Sequence, residues 1–568
     1  MATQLEELFG AIIKRTDKYQ PGPNAVLIGS PKTNPAIAKL MGKKWPKLTE
    51  QGHLLKSVKT QNGTTLVVGG GSPVATYWAA AELGHHFGVR RLFHADFQPL
   101  VKPKFSLAGL DLILEPSLKV RAWRTIGASP AGQESWSLAD HRLRLRQLAK
   151  LKFNQVVLAF HAWQPFVHFE HGGIKKETGV LWHGRTFRVD GETAGRAAFG
   201  RDRVFANPDF KDAKTYQQRV EAGVRLARGI IAEARSLGMR VAIEFDPREL
   251  PGEFAPLLPK GKFVEPKGSL SVRNKLADAK SKAIEQAQIA AYRETYPNAD
   301  AFILRPGNRA GKSVVIKGRD GKALKCLLLE IGNGRGNVLP QFDLGRLHQS
   351  VQQLGKKHRD GFVTSCQLPD DLNTSVYYLS RAGFDGDMTH AKAVDGLVTP
   401  ISGAGVGERI AIGFEHLAKA GALVDKHDPT FATLRSEVIM RHYAMKEPVP
   451  EWWAEAKGGF AMAMNEMYRA NTRARGGARE YSLYLAKRFE FALHYFTCLE
   501  STRLAGIAKA KKDKAGQLEN LDKAVEAMHN ALGAMADVDR NNGDRGVIAV
   551  LNEYGFRPLL KELEKADQ

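Results

Sequence analysis

Several carboxylates stand where β-like runs end. VAIEFDP carries Glu244 and Asp246 two residues apart, so on an extended chain they share a face, and Arg248 follows within reach of an anion. Glu330 ends KCLLLEIGNG, and Asp370 and Asp371 follow an apolar run in CQLPDD. Two carboxyl groups kept in different protonation states are the equipment of general acid–base chemistry, which makes Glu244, Asp246 and Glu330 the catalytic candidates. Each acid also has a plainer reading, Asp246 as a turn former before Pro247, Glu330 as a hairpin-edge carboxylate, and Asp370 and Asp371 as turn acids. A second set suits a ring-shaped or anionic ligand: Arg121, Trp123 and Arg124 in VRAWRTIG, His161 and Trp163 in AFHAW, Arg248, Arg305, Asp370 and Asp371. Aromatic faces stack on rings, and guanidinium forks hold carboxylate or sulfate. Alternation puts Arg121 and Trp123 on one face of their strand and Arg124 on the other, so the three cannot all meet one ligand.

The elements that must position these residues fall into three patterns. Residues 1–112 alternate short apolar runs (AVLIG, TTLVVGGG) with one helical stretch, ATYWAAAELGHHFG, and read as an α+β unit. Residues 113–400 repeat strand then helix, as in NQVVLAF, RVAIEFDP and DAFILRP, each followed by an amphipathic run. That order builds a parallel sheet with its chemistry at the C-terminal strand ends. Residues 401–568 are helical throughout, and their Met and aromatic stripes read as core.

Length and charge bound the rest. The chain has 568 residues, 43% of them hydrophobic, and a formal net charge of +23. Residues 260–361 hold 20 Lys/Arg and 9 Asp/Glu, almost half of the excess. A basic surface attracts any polyanion, polysaccharide included, and nucleic acid is the lesser reading because it rests on charge alone. The three cysteines form no CxxC, and the histidines of the 161–183 excursion form no HExxH pairing, so no metal and no cofactor is expected. Gly69–Gly71 lack the GxGxxG spacing, and in RPGNRAGKS the position of the first Walker glycine is Pro306. The next run, VVIKGRDGKALKCLLLEI, reads as a hairpin turning at Arg319-Asp320-Gly321. No run is apolar enough for a membrane span or a signal peptide, so the chain as given is expected in the cytoplasm, or in the periplasm or outside the cell if a leader has been removed.

VVGGGSPVATYWAAAELGHHFGVRRLFHADF, VRAWRTIG, LRQLAKLKFNQVVLAF and the 334–394 segment together resemble alpha-glucuronidase-like and beta-hexosaminidase-like glycoside hydrolases. The resemblance implies a small α+β N-terminal domain, a (β/α) barrel, an all-α C-terminal domain that could also support a homodimer, and action on an acidic or amino-sugar saccharide. It also exposes a departure. About 20 residues separate the fourth strand run from the next long one, too few for two strands with their helices at roughly 30 residues each, so an incomplete or rearranged barrel is expected. Where the family carries an acidic pair at the end of strand four, this sequence has Arg305. A non-catalytic carbohydrate-binding protein with a basic surface is the alternative expectation.

Overall fold

The computed structural model describes the chain except residues 11, 20, 21, 23, 260–262, 265–269, 275–278, 305–312, 333–336, 357–358 and 404. The N-terminal region is a four-stranded sheet in the order Asn24–Gly29, Gly63–Gly70, His53–Thr60, Asp111–Leu114, the first pair parallel and the others antiparallel. Helix Pro73–His86 packs on it, started by the Ser72 side chain, which accepts from Ala75 N, and by a proline in its first turn. The three glycines are therefore a tight passage from strand to helix. A Cβ on Gly70 would lie 2.5 Å from the Ala75 backbone, and one on Gly71 1.9 Å from Thr49 O.

Seven strands close the barrel: Val120–Thr125, Gln155–Ala159, Arg240–Phe245, Ala301–Leu304, Ser313–Gly318, Ala323–Glu330 and Gly361–Ser365. Strands one to four run parallel, as do six, seven and one. Strand five alone is antiparallel to both neighbours, pairing Phe302 with Lys317 and Val314 with Cys326. The expected shortening is thus met by a hairpin, whose turn holds Gly321 at φ 81°, and the wall is complete. Inward positions carry Val120, Ala122, Val157, Ala242, Ala301, Ile303, Val314, Ile316, Leu328 and Val363, small side chains interleaved with branched ones. Strand five buries Val314 and Ile316 but exposes Ser313, Val315 and Lys317, the alternation of a strand with no helix over its outer face.

Helices Leu138–Lys150 and Tyr216–Ser236 follow strands one and two, each opened by a capping box, Ser137 with Asp140 and Thr215 with Gln218. One apolar core runs from this outer layer into the C-terminal helices, which include Glu451–Arg473, Gly477–Ala510, Lys514–Ala536 and Asn542–Leu551. Buried ion pairs fasten the regions together. Glu82 of the N-terminal helix accepts from Lys152 and, at 2.7 Å, from Arg381. Asp371 takes both arms of Arg488 at 2.8 Å and the Tyr484 hydroxyl at 2.8 Å. Among the described residues no helix is long and apolar enough to cross a membrane, and no cluster of three His, Cys, Asp or Glu could hold a metal.

Candidate functional site

Strand alternation carries Val120 and Ala122 into the barrel interior and Arg124 to its C-terminal mouth, where it meets Glu244, placed likewise beyond Ala242. The guanidinium grips that carboxylate through Nε at 3.0 and 3.1 Å and Nη2 at 3.0 Å. Arg121 and Trp123, on the opposite face, lie in the layer between barrel and helices and do not reach the mouth. Arg121 is fully buried, donating to Lys152 O and Leu118 O, with its charge over the rings of Trp78 and Phe384. Trp123 packs on Phe93 and donates to Gln133.

After strand one the chain turns sharply: Ile126, β-branched, is held at φ 64° and Gly127 at φ 146°. A second strained turn faces it, with Trp182 at φ 53° and His183 at φ 57°. Such conformations cost on the order of 1–3 kcal/mol each and persist where the surroundings enforce them. Between these turns lies a cleft with two lobes. The inner one, a cavity of ≈ 180 Å³, is lined by Arg124, Gln133, Glu134, Ser365, Cys366 and Gln367. The outer, ≈ 330 Å³, shares Ala128, Ser129 and Gln367 with it and is bounded by His183, Arg185, Arg435 and Tyr554. The C-terminal helices therefore form one wall of the site.

The loop carrying Gln133 and Glu134 is fixed on every side. Gln133 bridges the Trp123 indole at 2.9 Å and Cys366 O at 2.8 Å. Asn207 donates to Glu134 O at 2.8 Å, Asn542 donates to Ser135 O at 2.7 Å, and the Trp136 indole donates to Asn541 at 2.8 Å. Gly546, on helix Asn542–Leu551, lets that helix lie directly against Pro130, whose carbonyl would be 1.8 Å from an added Cβ. Glu134 itself is 3% exposed, and burial pushes its carboxyl up to about 8 against the opposing pull of the Gln164 amide and the Trp182 main chain.

The remaining expected site residues are dispersed. His161 and Trp163 follow strand two; the His161 ring stacks on Trp163, which in turn lies 4.1 Å from the His183 ring at the cleft. His161 Nδ1 is 3.1 Å from Glu249, whose carboxyl it holds below its ordinary range although burial works the other way. Asp246 accepts from Arg248 N at 3.0 Å and from Arg273, so it forms the turn that Pro247 suggests, while burial raises its pKa. Asp370 and Asp371 lie away from the cleft as buried joints. Burial would raise Asp370, yet Arg144 at 3.0 Å and His94 at 3.1 Å hold it well below the usual carboxylate range. Glu330 ends strand six, with its side chain outside the described residues, as is Arg305 entirely. Glu134 and Gln164 escaped the sequence reading. The available signal was their place in the loops after strands one and two, at the face where barrels carry their chemistry.

The chain matches no family model and no curated protein. In fold it is similar to a Clostridium perfringens family 89 glycoside hydrolase solved with its substrate GlcNAc-alpha-1,4-galactose, at TM-score 0.53 and 10% identity, covering 93% of this chain and 74% of that one. A GH138 enzyme targeting pectin rhamnogalacturonan II aligns at TM-score 0.47 and 10% identity over 95% of this chain and 78% of its own. The fold is glycoside hydrolase-like, a mixed α/β architecture with a closed seven-strand barrel and a helical C-terminal region.

Proposed function

We propose that this chain is a glycoside hydrolase-related protein that acts on an acidic or amino-sugar saccharide held across the barrel mouth, in the manner of the alpha-glucuronidase-like and beta-hexosaminidase-like enzymes. The observation that carries this reading is the cleft at the mouth of the closed barrel, lined at its inner end by the buried Glu134 and by Arg124, which grips Glu244, and at its outer end by Arg185 and Arg435. Arg185 and Arg435 suit a uronic acid carboxylate or a sulfate, and His183, backed by the buried Trp163 ring, lines the same lobe. The amino-sugar arm is supported by the N-acetylglucosaminide substrate of the family 89 enzyme.

In this reading Glu244, Asp246 and Glu330 supply the carboxylates that stabilise the oxocarbenium-like transition state or activate water, the arrangement glycoside hydrolysis uses. Purified protein is incubated with uronic-acid and N-acetylglucosamine oligosaccharides, and new reducing ends are measured beside calorimetric binding. The reading expects release that falls at least about a hundredfold in Asp246→Asn or Glu330→Gln. Release unchanged in both variants overturns the residue assignment. Saturable binding with no release makes the chain a carbohydrate-binding relative instead, and neither binding nor release overturns the function.

A further inference from the structure

One side chain at the barrel mouth is oriented as a base and has no task in the chemistry above. His161 lies two residues beyond Ala159, the strand-two residue that pairs with Glu244. Its main-chain N–H donates to Gln164, whose amide reaches the carbonyl of Gly127 in the lining of the inner cavity. On its other side the Trp163 ring, stacked on His161 at 5.6 Å, separates it from His183 in the outer lobe. His161 is thus one residue removed from each lobe of the cleft.

A carboxylate fixes which ring nitrogen carries the proton. Glu249 opens the short strand Glu249–Pro251, which pairs with Ser271–Asn274, and its two oxygens lie 3.1 and 3.3 Å from His161 Nδ1. Burial would raise the pKa of Glu249, but hydrogen bonds from His161, from the Ser271 hydroxyl at 3.1 Å and from the Ala162 main chain hold it below the ordinary carboxylate range. An ionised carboxylate can only accept, so Nδ1 carries a hydrogen whatever the charge of the ring. In the neutral ring the lone pair is therefore on Nε2. That atom has no hydrogen-bond partner among the described residues and is not one of the buried side-chain atoms, and a third of the side chain, 33%, is exposed. The orientation of a catalytic base is present: a buried anion behind the ring and an open nitrogen in front of it. The other titratable groups within electrostatic reach are His183 toward His161, and Asp246, Lys176 and Tyr292 toward Glu249.

We propose that His161 is the general base that activates the hydrolytic water and that Glu249 is its positioning residue, an assignment that rests on the saccharide-cleaving reading above. Of the tasks given there to carboxylates, activation of water passes to His161 and stabilisation of the transition state stays with them. His161 Nε2 takes a proton from water as the water oxygen bonds to the anomeric carbon and the bond from that carbon to the glycosidic oxygen breaks. The leaving oxygen keeps the electron pair of that bond and takes a proton from solvent, and the imidazolium returns its own proton to solvent.

The test separates the base from the tether. Nitrophenyl glycosides of glucuronic acid and N-acetylglucosamine, in both anomers, are given to the wild-type chain and to His161→Asn and Glu249→Gln. Asparagine keeps a donor where Nδ1 meets Glu249 but has nothing in place of Nε2, so the thermal midpoint should stay near that of the wild type. His161→Asn should lose at least about a hundredfold in kcat, its kcat/KM should lack the wild-type decline on the acidic side, and added imidazole should restore part of the rate in proportion to its free-base form. Glu249→Gln leaves the imidazolium without its carboxylate, and the acidic limb should move to lower pH while turnover stays measurable. A loss under about tenfold in His161→Asn, or a larger one with the acidic limb intact and no rescue by imidazole, makes the pair a structural tether and overturns this inference alone. If His161→Asn fails to fold, the limb in Glu249→Gln decides the matter, an unmoved limb refuting the assignment. No turnover of any substrate by the wild-type chain overturns the functional reading and this assignment with it.

Discussion

Replacing Glu134 by glutamine should change how the protein's stability depends on pH, and the sign follows from the burial of one carboxyl. In the folded chain burial raises its pKa from 4.5 to about 8. Between those values the folded state keeps a proton that the unfolded state has lost, so stability falls as pH rises. The contribution is fully present below the unfolded value and is gone once pH passes the folded one. At about 1.4 kcal/mol per tenfold change in proton affinity, the difference is on the order of 5 kcal/mol across that window. Glutamine keeps the shape and an acceptor for Gln164 but has no proton to release. Urea midpoints followed by tryptophan fluorescence, with Trp136 and Trp182 flanking the site, should coincide for variant and wild type near pH 5. They should separate in the variant's favour as pH approaches 8. A separation that stays constant with pH, or grows in the wild type's favour, would refute the claim that this carboxyl is buried in its neutral form.

Two further outcomes test the frame around the site. Asp371→Ala leaves Arg488, fully buried, without its carboxylate; the loss should be about 3–5 kcal/mol, read as a lowered thermal midpoint, and Asp371→Asn should recover part of it. Gly546→Ala places a methyl against Pro130 O, where only the main chain can give way. The thermal midpoint and saccharide binding should fall together, because the same helix walls the cleft; a fall in stability with binding intact would show that this wall is dispensable.

The order of the barrel was legible because strand and helix alternate with distinct periods, and the hairpin because Arg319-Asp320-Gly321 punctuates two apolar runs. Closure was not legible. It depends on Ala301 pairing with Gly318 and Phe302 with Lys317, an antiparallel contact for which no local pattern speaks. Alternation correctly separated Arg124 from Arg121 and Trp123, but a period of two says nothing of which face is the barrel interior. Asp370 and Asp371 read as turn acids or ligands because their partners, Arg144 and Arg488, lie 226 and 117 positions away. Glu134 sits in a loop without periodicity, and its burial is created by Gln164, Trp182 and Asn207, none near it in sequence. The charge excess of residues 260–361 named a class of partner, while among the described residues the cations lining the cleft, Arg124, Arg185 and Arg435, lie outside that segment.

The central claim is that saccharide binds across the barrel mouth. Amide hydrogen exchange, measured with and without uronic-acid and N-acetylglucosamine oligosaccharides, tests this directly. Binding at the cleft should slow exchange in segments 126–136, 181–185, 365–367 and 433–437 and leave the rest unchanged. Protection confined to the basic segment 260–361, with these four segments unaffected, would contradict it.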